Sequence, residues 1–212
     1  MSSYWVKTPW WVKKLFSKEL IWNMPQNGVP TVYITFDDGP HPTATPFVLA
    51  ELEKHHAKAT FFCVGKNVDE HKDLYRHMLS AGHAAGNHTQ NHLNGWYTGN
   101  KEYLGNILQA ARQIDSCCFR PPYGKIKLSQ VRILHKKRPG WKIYMWDVLS
   151  GDFDDTLSPE QCAQNVIENI EPGSIVVFHD SAKAWERMSY ALPLVLEHCR
   201  KMNWKLATLP IN

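Results

Sequence analysis

The 212-residue sequence predicts an α/β protein: a (β/α) barrel of about seven parallel strands with its active site at the C-terminal strand ends. Three observations lead there. Short apolar, β-rich runs alternate with helical stretches along the chain, the pattern of parallel strands joined by crossover helices. Six or seven such units favour a barrel over a sandwich and leave an open doubly wound sheet as the alternative. Unusual polar residues collect where the strands end: Asp37 and Asp38, then His88, Arg120, Asp147 and His179. Barrels of parallel strands gather their sites on that face, whereas an open sheet concentrates ligands at a switch point.

Taken in order, residues 1–30 read as an N-terminal extension packing on the barrel formed by residues 31–212. The first sixteen residues have no uninterrupted apolar core and no small-residue cleavage site, and carry too much charge to span a membrane. Their Trp, Leu and Phe side chains interleave with lysines, which suits contact with a membrane surface through residues 4–16. A helix covering one end of the domain is the simpler expectation. Strands are expected at 32–36, 60–64, 83–87, 117–120, 143–147, 174–179 and 205–208. Helices are expected at 46–56, 69–81, 101–114, 129–136, 159–170 and 185–201.

Composition excludes several classes. Hydrophobic content of 43% with 21% charged residues describes a globular chain. The net charge of +4 is mild, and His135-Lys-Lys-Arg138 is the one short basic run, so nucleic acid is not an expected partner. Nine tryptophans with eight each of Tyr and Phe permit a carbohydrate site, because aromatic faces stack on sugars as well as filling cores. Five cysteines, an odd number without regular spacing, predict reduced thiols and a cytoplasmic location.

The chemistry starts at Gly86-Asn-His-Thr-Gln-Asn-His92. Two histidines four apart fall on one face of a helical turn, close enough to share a metal. Thr89 stands where a zinc peptidase carries its Glu base, so a base must come from elsewhere. Asp37 and Asp38 end an apolar strand beside Gly39-Pro40, where the chain can turn both carboxylates to one cavity. One could bind a cation and the other accept a proton. The bland alternative is that they cap a helix or shape a turn. One carboxylate with two histidines and an open position describes a catalytic zinc site and equally a non-haem iron triad.

Thr35-Phe-Asp-Asp-Gly-Pro40, His88-Thr-Gln-Asn-His92, Arg120-Pro-Pro-Tyr-Gly124, Asp147 to Asp152, and Val177-Phe-His-Asp180 together resemble the ordered motifs of the NodB-type polysaccharide deacetylases, carbohydrate esterase family four. The resemblance spans roughly residues 31 to 209. It implies a distorted (β/α) barrel that removes acetyl groups from N-acetylated sugars with one divalent metal, commonly Zn2+, with Co2+ or another divalent ion as alternatives. By the same resemblance Asp38, His88 and His92 are the metal ligands, Asp37 is the general base and Arg120 orients it. His179 is then the general acid, Asp152 the carboxylate that tunes it, and the backbone N–H of Tyr123 an oxyanion donor. Phe153 stands where the family often has Trp, and Phe178 where Leu is common, which bears on substrate preference. His41 is expected near the site without ligating, Asp147 to hydrogen-bond site loops, Asp180 to begin a loop, and Trp96 and Tyr97 to line a groove or pack.

Two further classes stand beside this expectation: a catalytically silent carbohydrate-binding module on the same scaffold, and an O-acetyl esterase. An iron oxygenase leaves Asp37 beside Asp38 without a purpose. Chitin fragments, peptidoglycan strands and small acetylated metabolites all fit as substrates.

Overall fold

A computed structural model describes residues 4–16, 20–26 and 28–211. Its centre is β1 (Thr31–Asp37), whose last four residues are all buried. It is an interior strand, with β2 (Thr60–Cys63) on one side and β7 (Ile175–His179) on the other. Outward from β2 come β3 (Ala84–Asn87), β4 (Cys118–Phe119) and β5 (Lys142–Ile143); β6 (Val148–Leu149) lies outside β7. β8 (Lys205–Leu206) pairs with the first residues of β1, and every ladder is parallel.

Of the expected strand at 143–147 only Ile143 lies in a strand, the last residue of β5; the chain then crosses to β6, and β5 and β6 stand at the opposite ends of the sheet path. Seven strands laid flat would span about 29 Å from first to last. The five-residue step from Ile143 to Val148 reaches at most about 17 Å fully extended. The connection therefore forces the sheet to curl, and the result is a half-barrel rather than an open sheet.

The helices follow their sequence signals. α2 (Ala44–Lys54) is started by His41, whose Nδ1 accepts from the backbone N–H groups of Thr43 and Ala44. The expected helix at 69–81 divides into α3 (Gly65–Glu70) and α4 (Lys72–Ser80), because His71 between them leaves helical geometry at φ −127 and ψ 49. α5 (Asn100–Ala110) and α6 (Leu128–Lys137) cover the β4–β5 side. α7 (Pro159–Ile167) opens with a Ser158–Gln161 capping box and Pro159 in its first turn. α8 (Trp185–Lys201) buries Met188, Ala191, Leu192, Val195, Leu196 and Cys199, one stripe at helical spacing. All five cysteines are free. Among the described residues no helix is long and apolar enough to cross a membrane.

The N-terminal segment runs over the opening between β5 and β6. Ile21 bridges to Tyr144 in parallel and Lys7 to Val148 in antiparallel sense, so both outer strands gain a partner along an otherwise bare edge. In α1 (Trp10–Phe16), Val12 and Phe16 pack on the core cluster around Phe119 and Ile143, while Trp10, Trp11 and Leu15 stay exposed. Asp147 holds this segment. Its buried carboxylate accepts from Lys7 at 2.7 Å, from Ser174 at 2.6 Å, and from Lys13. It was expected at a C-terminal strand end beside the site. It instead enters β6 level with Ile175, the first residue of β7, on the opposite rim of the barrel.

Asp147→Ala removes the buried acceptor shared by Lys7, Lys13 and Ser174, while Lys7 keeps Glu171 and the Asn169 carbonyl. It should lower stability by about 3 kcal/mol, the lower end for a broken buried pair because both lysines are partly solvated. Urea unfolding measures this directly.

Candidate active site

The site grows from the end of β1. Asp37 closes the strand in register with Phe62 of β2 and His179 of β7. Asp38 then turns at φ 79, and Gly39 follows because no side chain fits: a Cβ there would lie 2.1 Å from the Asp180 carboxylate. The turn is pinned by Asn67, which donates to the Asp38 carbonyl at 2.7 Å, and by Asp180, which accepts from the Gly39 N–H at 3.1 Å. Asp180 is therefore a buried prop beneath the turn. Burial, and then the charge of Asp38, raise its carboxyl to about 8.

Arg120 is fully buried and answers the charge of Asp37. Its Nη1 donates to Asp37 Oδ1 and to Thr35 Oγ1, both at 2.7 Å. Nη2 donates to the Met145 carbonyl at 2.9 Å, Nε to the Tyr144 carbonyl at 3.3 Å, and the guanidinium lies 4.0 Å over the Phe62 ring. Burial pulls the Arg120 pKa down and Asp37 pushes it back.

His88 follows β3 and donates from Nδ1 to the Arg120 carbonyl at 2.8 Å, which leaves the Nε2 lone pair for the cleft. Burial lowers its pKa to about 4, so the ring is neutral at physiological pH. His92 does not share a helical turn with it, as the spacing suggested. Residues 88–92 form an irregular loop with Thr89 and His92 both at positive φ, and this loop brings the two rings to a centroid distance of 5.1 Å. Four of the six described non-glycine residues at positive φ are Asp38, Thr89, His92 and Tyr123. Such strain persists only where surrounding structure enforces it, and here it concentrates at one place.

Asp38, His88 and His92 offer donor atoms within 4.8 Å of one another. Asp38 Oδ1 lies 3.0 Å from His92 Nε2 and 3.7 Å from His88 Nε2, yet it is buried with no aligned hydrogen bond. Burial raises its pKa, but His92, His179 and His88 outweigh that and bring it down. A buried, ionised oxygen without a hydrogen bond, beside two imidazole nitrogens, is a donor set suited to a divalent cation.

On β7, His179 donates from Nδ1 to Asp152 Oδ1 at 2.7 Å, and its backbone N–H donates to Asp152 Oδ2 at 2.7 Å. Burial lowers the imidazole pKa, but Asp152, then Asp38 and Asp37, carry it up to about 10. Arg187 holds the Asp152 carbonyl at 2.7 Å.

A cleft of about 510 Å³ collects these groups. Asp37, Asp38, His88, His92, Tyr123 and His179 line it; Arg120 and Asp152 stand behind, bonded to Asp37 and His179. Trp146, Leu149, Phe153 and Val177 form an apolar wall, and Tyr4, Lys125 and Lys183 complete the rim. Tyr123 turns at φ 59, with its hydroxyl 3.1 Å from His92 Nδ1. Trp96 stands outside the cleft and carries the Lys125 ammonium 3.9 Å over its ring; Tyr97 projects into solvent. His41 caps α2 rather than lining the site. Phe153 of the apolar wall was singled out in the sequence; Tyr4, Lys125, Lys183, Trp146 and Leu149 were not, because residues from separate elements that meet only in space leave no motif.

A family model described as polysaccharide deacetylase matches residues 25–137. The chain belongs to the polysaccharide deacetylase family. It is 32% identical over 195 residues to a peptidoglycan-N-acetylglucosamine deacetylase of Bacillus cereus, covering 89% of this chain and 90% of that protein. It is 34% identical over 157 residues to a chitooligosaccharide deacetylase of Azorhizobium caulinodans, covering 71% and 73%. A crystal structure of a peptidoglycan N-acetylglucosamine deacetylase bound to an N-oxidanyl-benzamide superposes with a TM-score of 0.86 at 27% identity, over 96% of this chain and 95% of that one. A mutant of a CE4 family pseudoenzyme with restored activity superposes at 0.78 and 26% identity, over 90% and 69%. The fold is thus the distorted barrel of this deacetylase family.

Arg120→Met removes the counter-charge while filling the space. Asp37 is then buried without a cationic partner, and stability should fall by about 3–5 kcal/mol in thermal or urea unfolding. Arg120→Lys should restore only part of it, since an ammonium cannot reproduce the fork.

Proposed function

We propose that this protein is a metal-dependent hydrolase removing acetyl groups from N-acetylated saccharides, of the peptidoglycan or chitooligosaccharide kind that its relatives' names carry. One observation supports this above the others. A carboxylate held by a guanidinium and an imidazole held by a carboxylate sit in register on adjacent strands and face the cleft that contains Asp38, His88 and His92.

Asp38, His88 and His92 would hold a divalent cation, zinc or cobalt, and the cation would supply Lewis acidity to polarise the acetyl carbonyl and to acidify water. Asp37 is the base that takes the proton from the attacking water. Arg120 fixes its Oδ1, so Oδ2, 4.0 Å from His88 Nε2, is the oxygen for that proton. Attack places negative charge on the carbonyl oxygen, and the Tyr123 backbone N–H donates to it from the left-handed turn after Pro121-Pro122. An amine leaves only when protonated. His179 donates that proton from Nε2, because Asp152 engages Nδ1 and keeps the ring charged at neutral pH. The wall of Trp146, Leu149, Phe153 and Val177 takes the acetyl methyl and excludes water. Asp152 and Arg120 act through the groups they hold.

Asp37→Asn should reduce acetate release by about a hundredfold to ten-thousandfold while zinc per chain, measured by elemental analysis, stays near wild type. Unchanged turnover would falsify the role of base. A panel of N- and O-acetylated saccharides, with zinc, cobalt and no metal, separates the classes. Release from amides supports the proposal, release from esters alone identifies an O-acetyl esterase, and binding without product identifies a silent scaffold.

His179 acts while protonated, so activity should fall as pH rises through its pKa. Asp152→Asn removes the largest upward influence on that pKa. The alkaline limb of kcat against pH should therefore move to lower pH by at least one unit; an unmoved limb assigns the acid elsewhere.

A further inference from the structure

The N-terminal segment reaches the cleft by strand register. Thr8 N–H donates to the Asp147 carbonyl and Leu149 N–H to the Val6 carbonyl, both at 2.8 Å, so this stretch runs antiparallel to β6. Two residues earlier, the same register sets Tyr4 opposite Gly151, at the loop that carries Asp152 and Phe153. The side chains agree. A Cβ on Gly151 would lie 2.8 Å from the Tyr4 hydroxyl, and the Tyr4 ring stands 5.1 Å from that of Phe153. Phe153 in turn meets His179 edge-on at 5.3 Å. The Tyr4 hydroxyl donates to Asp154 Oδ2 at 2.9 Å, which fixes the ring in the cleft wall and leaves the phenol oxygen with lone pairs to accept.

We propose that Tyr4 is a saccharide-binding residue of this site, its ring packing on the acetylated sugar and its oxygen accepting from a sugar hydroxyl. This rests on the deacetylase assignment above. An aromatic body with one polar tip suits a pyranose, which presents an apolar C–H face rimmed by hydroxyls. The extension thereby becomes part of the substrate site. Asp147, on the far rim, is a positioning residue for it, because its ion pairs with Lys7 and Lys13 fix the strand that delivers Tyr4.

The test uses the full chain loaded with zinc and measures acetate release from an N-acetylchitooligosaccharide and from a soluble peptidoglycan fragment. Tyr4→Ala should raise KM by about tenfold, with kcat falling less. Tyr4→Phe, which keeps the ring, should recover most of that loss. An unchanged KM in an active Tyr4→Ala overturns the proposal, as does a parallel fall in kcat and melting temperature that Tyr4→Phe does not rescue. If Tyr4→Ala does not fold, an unchanged KM in Tyr4→Trp, whose larger ring cannot take the same place against Gly151, also overturns it. Failure of the wild type to release acetate from either substrate sinks the deacetylase assignment itself, a separate outcome.

Discussion

The buried pairing of Arg120 with Asp37 is the constraint on which the rest of this molecule turns. A guanidinium with no solvent exposure sits inside the half-barrel, bonded to β1 through Asp37 and Thr35 and to the chain after β5 through the Tyr144 and Met145 carbonyls. Burying either charge alone would be prohibitive. Together, with four hydrogen bonds from the guanidinium, they tie the central strand to the sheet's far edge. The same residue offers its own carbonyl to His88. One arginine thus fixes the carboxylate proposed as base and orients an imidazole proposed as ligand.

Two adjacent aspartates at a strand end raise a question of charge, and the structure divides the answer. Asp37 faces inward to Arg120. Asp38 turns away through a left-handed residue and meets two imidazoles, with one buried oxygen still lacking a hydrogen bond. On the neighbouring strand β7, His179 is held through side chain and backbone together by Asp152, from the loop after β6. Three carboxylates within one cleft region therefore have three different partners. Their surroundings thus differ in both charge and hydrogen bonding, a guanidinium for one and imidazoles for the other two.

The polar punctuation at strand ends was legible in the chain because parallel αβ units repeat a simple period and place their C-terminal ends on one face. Asp37, His88 and His179 could be set near each other on that argument alone. Asp147 could not. It has the same neighbours in sequence as a strand-end carboxylate, but the chain between Ile143 and Val148 crosses the sheet's opening, so Asp147 begins a strand instead of ending one. The His88–His92 spacing matched a helical turn, and an irregular loop with two positive-φ residues meets the same distance requirement. His41 sits next to the aspartates in sequence and is used to start α2. Trp96, expected to line a groove or to pack, carries Lys125. In each case adjacency along the chain was compatible with more than one direction in space.

The amino-acid order by itself determined the αβ alternation, the ordered set of motifs and the kinds of donor they bring, because period and residue chemistry are local properties. Tertiary structure decided the curl of the sheet, the rim on which Asp147 meets Lys7 and Lys13, and the path that returns Tyr4 to the cleft. These depend on the reach of a short connection and on register between distant strands, and neither quantity is written in any single stretch of the chain.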